Sequence, residues 1–153
     1  QYYDQHREKC INWLKKLPSN IKVAMLENGQ KIPIDEYYKI MSRSKIIIAP
    51  FGYGEMAPRD LEASMVGSIL IKPDMSHLET IPNPYIPNQT YIPVKWNFAD
   101  LNEKIQETLN GFGNLQEFFV ENMRKEYVKQ YNPEKLVIHT YNWLSNLEGF
   151  GSD

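Results

Sequence analysis

The sequence predicts an α/β fold: an open, mostly parallel sheet of about four strands, flanked by helices and followed by further C-terminal helices. Three observations predict it. Two apolar runs, Lys45-Ile46-Ile47-Ile48-Ala49-Pro50 and Ser68-Ile69-Leu70-Ile71, do not alternate in polarity. Strands read this way when both faces are covered, as in a parallel sheet under helices. A helical pattern from about Pro58 to Val66 separates the runs, and strand–helix–strand order implies a crossover joining parallel neighbours. The length of 153 residues suits one domain, expected over 1–148 with 149–153 as a tail.

The remaining elements follow from periodicity and chain breakers. Residues 2–17 read as an amphipathic helix with Cys10, Ile11, Trp13, Leu14 and Leu17 on one side, stopped by Pro18. Ile21 to Leu26 reads as a short strand and Asn28-Gly29 as a turn. Pro33 to Ser42 reads as a second helix. Pro58 favours the first position of the next helix, because its missing N–H is unneeded there, and Gly67 ends it. A proline-rich connection over 72–90 leads to a last strand, Tyr91 to Val94, placed near an edge by Pro93. Asp100 is expected to cap a helix through Leu109. Gly111 and Gly113 are expected to break it, before helices over 115–130 and 133–147. Met25, Ile46, Ile47, Ile48, Leu61, Met65, Ile69 and Ile71 are expected to share one core.

Composition excludes several function classes. The formal charge is −2, which supplies no basic stripe for nucleic acid and no polybasic patch for anionic lipid. No apolar stretch approaches the ~20 residues that span a bilayer. The single cysteine, Cys10, permits no internal disulfide, so a cytoplasmic setting is expected; its apolar helical position suits a core residue. No His/Cys/Asp/Glu set has zinc-ligand spacing, so no intrinsic metal is expected. The chain begins with Gln1, and a fragment of a longer protein is expected.

Ligands of open parallel sheets bind outside the carboxyl ends of the strands. That places 51–59 and 72–77 on the functional edge. In Phe51-Gly52-Tyr53-Gly54-Glu55-Met56-Ala57-Pro58-Arg59-Asp60-Leu61-Glu62-Ala63, two glycines flank Tyr53 just after a buried strand, where they let backbone approach a ligand. The following helix offers free N–H groups and a positive dipole end to a phosphate. Arg59, in its first turn, can add a forked, permanently charged contact. Glu62, one turn on, can accept two hydrogen bonds from a vicinal diol. His77 can act as a base or bond a phosphate. Gly52-Tyr53-Gly54 lacks the third glycine of a dinucleotide fingerprint, and no P-loop pattern occurs.

This block, with Glu62-Ala63, three residues, Gly67 and the apolar strand Ile69 to Ile71, resembles the signature of the group 1 type of GT-B glycosyltransferases and their spore-coat-like and exostosin-like relatives. The resemblance covers roughly 21–110 and implies the Rossmann-like nucleotide-sugar half of a GT-B fold. It implies that Glu62 holds the ribose, that Arg59 contacts phosphate, and that Gly52, Tyr53, Gly54 and Glu55 approach the donor sugar, with Glu55 in the catalytic place. The separation of Glu55 and Glu62 is one residue shorter than in many retaining members. The implied substrate is a nucleotide-diphosphate sugar, with no other cofactor, and the carbohydrate or other hydroxyl acceptor would sit on an N-terminal domain missing from this chain.

Plainer readings stand beside these. Arg59 and Glu62 can form a solvated ion pair at i, i+3. Glu55 can simply favour a helix start. Tyr53 can cover a loop, and His77 can cap the turn near Ser76. His6 and His139 are expected to be structural or exposed. The rival function is a non-catalytic α/β module binding a nucleotide or a protein partner.

Overall fold

A computed structural model describes residues 2–26, 30–80 and 83–148. The expected turn at Asn28-Gly29 and the tail 149–153 lie outside the described residues, as does the side chain of His139. The fold is α/β, with the order α1 (Tyr2–Leu14), α2 (Ile34–Ser42), β1 (Ile46–Ile48), α3 (Pro58–Met65), β2 (Ile69–Pro73), β3 (Ile92–Val94), α4 (Leu101–Asn110), α5 (Phe112–Gln130) and α6 (Pro133–Glu148). The three described strands form one open parallel sheet in the order β1-β2-β3. Ile47 pairs with Leu70, and Lys72 with Pro93. Proline is tolerated at 93 because β3 is an edge strand with a side free of ladder bonds.

The sheet has two apolar faces, and strand periodicity divides the core between them. Ile69 and Ile71 point to one side, where they meet Cys10 and Leu14 of α1, Leu101 and Ile105 of α4, Ile92, Val94 and Phe98. Leu70 points to the other, with Ile47, Ala49, Phe51, Ala63, Met123, Tyr85 and Tyr127. Cys10 is buried, and burial pushes its thiol up to about 12, as for a packing residue. Gly67 has φ +81, a conformation that only glycine adopts without strain. The Gly67 and Ser68 N–H groups close α3 on the carbonyls of Ser64 and Ala63 at 3.2 and 2.8 Å, a Schellman end. Ser68 Oγ donates to the Ser44 carbonyl at 2.6 Å, and Arg124 Nε donates to the Ser64 carbonyl at 2.9 Å. These bonds tie α2 and α5 to the base of α3.

Several expectations need correction. Ile21 to Leu26 is not a strand: no ladder forms there, and Val23, Met25 and Leu26 are exposed. A run of strand-forming residues needs a neighbour to pair with, and this one has none among the described residues. Met25 therefore leaves the core. So does Met65, 67% exposed, because α3 buries Asp60, Ala63 and Ser64 instead, a face turned away from Met65. The remaining expected core residues belong to two clusters on opposite faces of the sheet rather than one. Asp100 does not cap α4; its carboxylate accepts the Lys95 N–H at 2.9 Å and closes the 95–100 turn. Gly111 alone separates α4 from α5, and Gly113 lies within the first turn of α5.

Two substitutions test this division. Ile47→Ala removes a buried side chain and is expected to cost about 2–5 kcal/mol. Met65→Ala, on an exposed face, should change stability by less than about 0.5 kcal/mol. Urea titration measures both, and equal costs would contradict the orientation of α3.

Candidate functional site

β1 delivers the chain through Ala49 and Pro50 to Phe51, which is fully buried. Residues 52–57 then cross the carboxyl edge of the sheet and enter α3. The support beneath this crossing is a buried ion pair. Lys72, on the same side of β2 as Leu70, places Nζ 3.0 Å from Asp60 Oδ2, with both side chains fully buried. The Lys72 ammonium also donates to the backbone carbonyl of Glu55. It lies 5.1 Å from the Phe51 ring centre and 5.6 Å from that of Tyr85. Asp60 Oδ2 additionally accepts the Ala57 N–H at 3.1 Å and the Tyr85 hydroxyl at 2.7 Å. Burial pulls the Lys72 pKa below its ordinary value, and the Asp60 charge opposes that shift. Burial and Asp60 together raise that of Tyr85. One lysine therefore pins the loop end, the helix start and the connection after β2.

Above this support lie most of the residues singled out in the sequence. Tyr53 is fully exposed at the loop tip. A Cβ at Gly54 would meet nothing within 4 Å, whereas one at Gly52 would collide with the guanidinium of Arg7. Glu55 is half-buried and its charge reaches Lys72. The Glu62 carboxylate accepts two tyrosine hydroxyls from α2, Tyr37 at 2.8 Å and Tyr38 at 2.9 Å. Burial, followed by the bond to Glu62, raises the Tyr37 pKa, and Arg59 opposes the rise from close range. That of Tyr38 is raised first by its bond to Glu62. Arg59, Glu62, Tyr37 and Tyr38 thus form one polar cluster. His77 is apart from it. It is exposed one short turn past β2, packed edge-on against Trp96 at 4.9 Å. Asp74, not His77, holds that turn, through the N–H and hydroxyl of Ser76 at 3.1 and 2.7 Å.

Four contributors, Lys72, Asp60, Tyr37 and Tyr38, were not singled out in the sequence, and His6, expected to be structural or exposed, is structural. A lysine ending an apolar strand covered on both faces is a signal for Lys72, since a buried charge needs a partner. Asp60, Tyr37 and Tyr38 carry no comparable local signal. His6 is buried: its ring stacks on Phe51 at 5.2 Å and tilts onto Phe98 at 4.6 Å. Its Nε2 donates to the Trp96 carbonyl at 3.1 Å. A carbonyl only accepts, so Nε2 carries the proton and Nδ1 is left as a buried acceptor without a partner. Burial, chiefly, lowers the His6 pKa below 6.5, with Lys9 and Lys72 contributing.

Two cavities of about 150 and 560 Å³ flank Trp96. The glycine loop lines neither and instead presents an open surface. Among the described residues no group of three or more His, Cys, Asp or Glu side chains could hold a metal ion, and no helix is long and apolar enough to cross a membrane. No family model matches the chain, and searches of curated proteins and of solved structures find no match.

Two outcomes follow. Lys72→Met strands Asp60 in the interior and should cost about 3–5 kcal/mol, while Lys72→Met with Asp60→Leu should cost less than Lys72→Met alone; denaturant titration of the variants checks this. For His6 the folded pKa is depressed, so below 6.5 the unfolded chain takes up the proton first and stability falls with falling pH. Between pH 7.5 and 5.5, His6→Gln should lose less stability than the parent chain in the same titrations.

Proposed function

We propose that this chain is the donor-binding part of a glycosyltransferase, moving a sugar from a nucleotide-diphosphate sugar to an acceptor hydroxyl. The observation that carries the reading is the buried Lys72–Asp60 pair fixing a glycine loop and a helix start at the carboxyl edge of a parallel sheet. In open α/β sheets that edge is where ligands bind. The Arg59 N–H at the start of α3 and the Arg59 guanidinium would meet the diphosphate and stabilise charge developing on it as it leaves. Glu62, held by two tyrosines, would accept from the ribose diol: a carboxylate has about four acceptor positions, and two remain. Glu55 stays the candidate sugar-contacting carboxylate, and much of the rate would come from positioning. The reading includes a cytoplasmic setting and an acceptor-binding domain outside this chain.

A second reading, a non-catalytic nucleotide- or partner-binding module, is favoured by one observation. Both Glu62 oxygens already have partners within the protein, which suits a purely structural tie between α2 and α3. Fold alone does not separate the two.

Calorimetry tests the donor-binding role. Arg59→Ala should weaken uridine or guanosine diphosphate binding roughly ten- to hundredfold, the worth of one charge-assisted hydrogen bond, and leave nucleoside binding unchanged. Glu62→Ala should weaken nucleoside and diphosphate by similar factors. Unchanged diphosphate affinity in Arg59→Ala would contradict the donor-binding role.

A further inference from the structure

The larger cavity beside Trp96, of about 560 Å³, falls within the roughly 300–1,000 Å³ of small-molecule sites. Three segments line it: the turn after β2 with Asp74 and Ser76, the bend before β3 with Asn88, and the turn after β3 with Lys95, Trp96 and Asp100. The indole is fixed in place. Trp96 Nε1 donates to the Asp74 carbonyl at 3.3 Å, and the Trp96 carbonyl accepts from His6. His6, Phe51 and His77 meet the indole at 63–72°, so none of these rings stacks flat on it. The carboxylates are fixed as well. Asp74 accepts the Ser76 N–H and the Tyr91 hydroxyl at Oδ1, at 3.1 and 3.2 Å, and the Ser76 hydroxyl at Oδ2, at 2.7 Å. Asp100 Oδ1 accepts the Lys95 N–H at 2.9 Å. A carboxylate has about four acceptor positions, so these bonds leave both side chains capacity for a ligand's hydroxyls. The backbone of the lining is strained too. Asn88 (φ 60) and Phe98 (φ 59), one in the bend before β3 and one in the turn after it, are the described non-glycine residues with positive φ. Asparagine tolerates that conformation and phenylalanine does not. Such outliers persist where the surroundings over-determine them, and they cluster at binding sites.

We propose that this cavity binds an uncharged saccharide, with one pyranose ring against Trp96 and its hydroxyls bonded to Asp74, Asn88 and Asp100. A pyranose carries an apolar C–H face, which suits the electron-rich face of an indole, and hydroxyls around its rim. The polar groups of the cavity likewise come from three segments around one aromatic side chain. A nucleobase instead gathers its donors and acceptors along one edge. Two carboxylates against one lysine repel a phosphate, and Lys95 opposes a cationic ligand. The site is separate from the glycine loop, and it stands or falls independently of the donor-binding reading.

Amide and indole chemical shifts of the ¹⁵N-labelled chain test it, in titrations with glucose, galactose, mannose, N-acetylglucosamine, maltose and cellobiose. Uridine, guanosine and choline serve as comparison ligands. At least one saccharide should give saturable shifts concentrated at Ser76, Asn88, Lys95 and the Trp96 indole N–H. Two variants probe the contacts while sparing the fold, which thermal denaturation checks. Asn88→Gly removes the amide and takes positive φ without strain. Asp100→Asn keeps an oxygen for the Lys95 N–H and removes the charge. Asp100→Asn should weaken the saccharide roughly tenfold, the worth of one charge-assisted hydrogen bond, and Asn88→Gly should weaken it several-fold. No saturable shift with any of the six saccharides overturns the proposal, as do saccharide shifts confined to other parts of the chain. Shifts at these residues with a nucleoside or choline and with no saccharide overturn the ligand class. Parent-like affinity in both variants overturns the assigned contacts.

Discussion

The interaction on which the candidate site depends is the buried pair of Lys72 and Asp60. Two charges taken fully out of water are costly, and their mutual attraction offsets that cost only when the remaining hydrogen-bonding capacity is used. Here most of it is. Lys72 also reaches the Glu55 carbonyl, and one oxygen of Asp60 serves Lys72, Ala57 and Tyr85 together. Asp60 Oδ1 has no partner, so the pair is held at some cost. A hydrophobic replacement of similar volume would pack the same space. What it could not do is bond the Glu55 carbonyl and the Ala57 N–H, the two backbone groups that set where the loop ends and α3 begins.

From that fixed point the other parts of the site take their places. The α2 helix leads into β1, so its first turns lie over the carboxyl end of the strand, and Tyr37 and Tyr38 reach Glu62 on α3. On the opposite face α1 is anchored through a neutral, buried His6, and the next residue meets the loop. Two helices that are distant in sequence, α1 and α2, thus converge on residues 51–62. Phe51 is central to the arrangement, touching His6 on one side and the Lys72 ammonium on the other.

What the sequence made legible is what local physics decides. The runs around Ile47 and Leu70 are strands because an unalternating apolar segment of that length needs cover on both faces. Pro58 and Gly67 bound α3 because one lacks an N–H and the other takes positive φ. The features that stayed hidden are decided by distant partners. Asp60 is inside and Met65 outside because Lys72 and Tyr85 claim that face of α3, and neither is near it in sequence. His6 is buried by an aromatic cluster from residues beyond position 50. Ile21 to Leu26 has the composition of a strand, but composition does not supply a neighbour. Within the site, Gly52 to Glu62 was legible as one block, whereas the tyrosine partners of Glu62 and the approach of Arg7 required the fold.

The central claim is that the loop held by Lys72 and Asp60, with the start of α3, receives a diphosphate. An amide chemical-shift titration of the ¹⁵N-labelled chain with uridine and guanosine diphosphates tests it most directly. The account predicts that shifts concentrate at Gly52, Gly54, Arg59 and the amides following Pro58. No saturable shift with either ligand, or shifts confined to Asp74, Lys95 and Trp96 around the larger cavity, would contradict it.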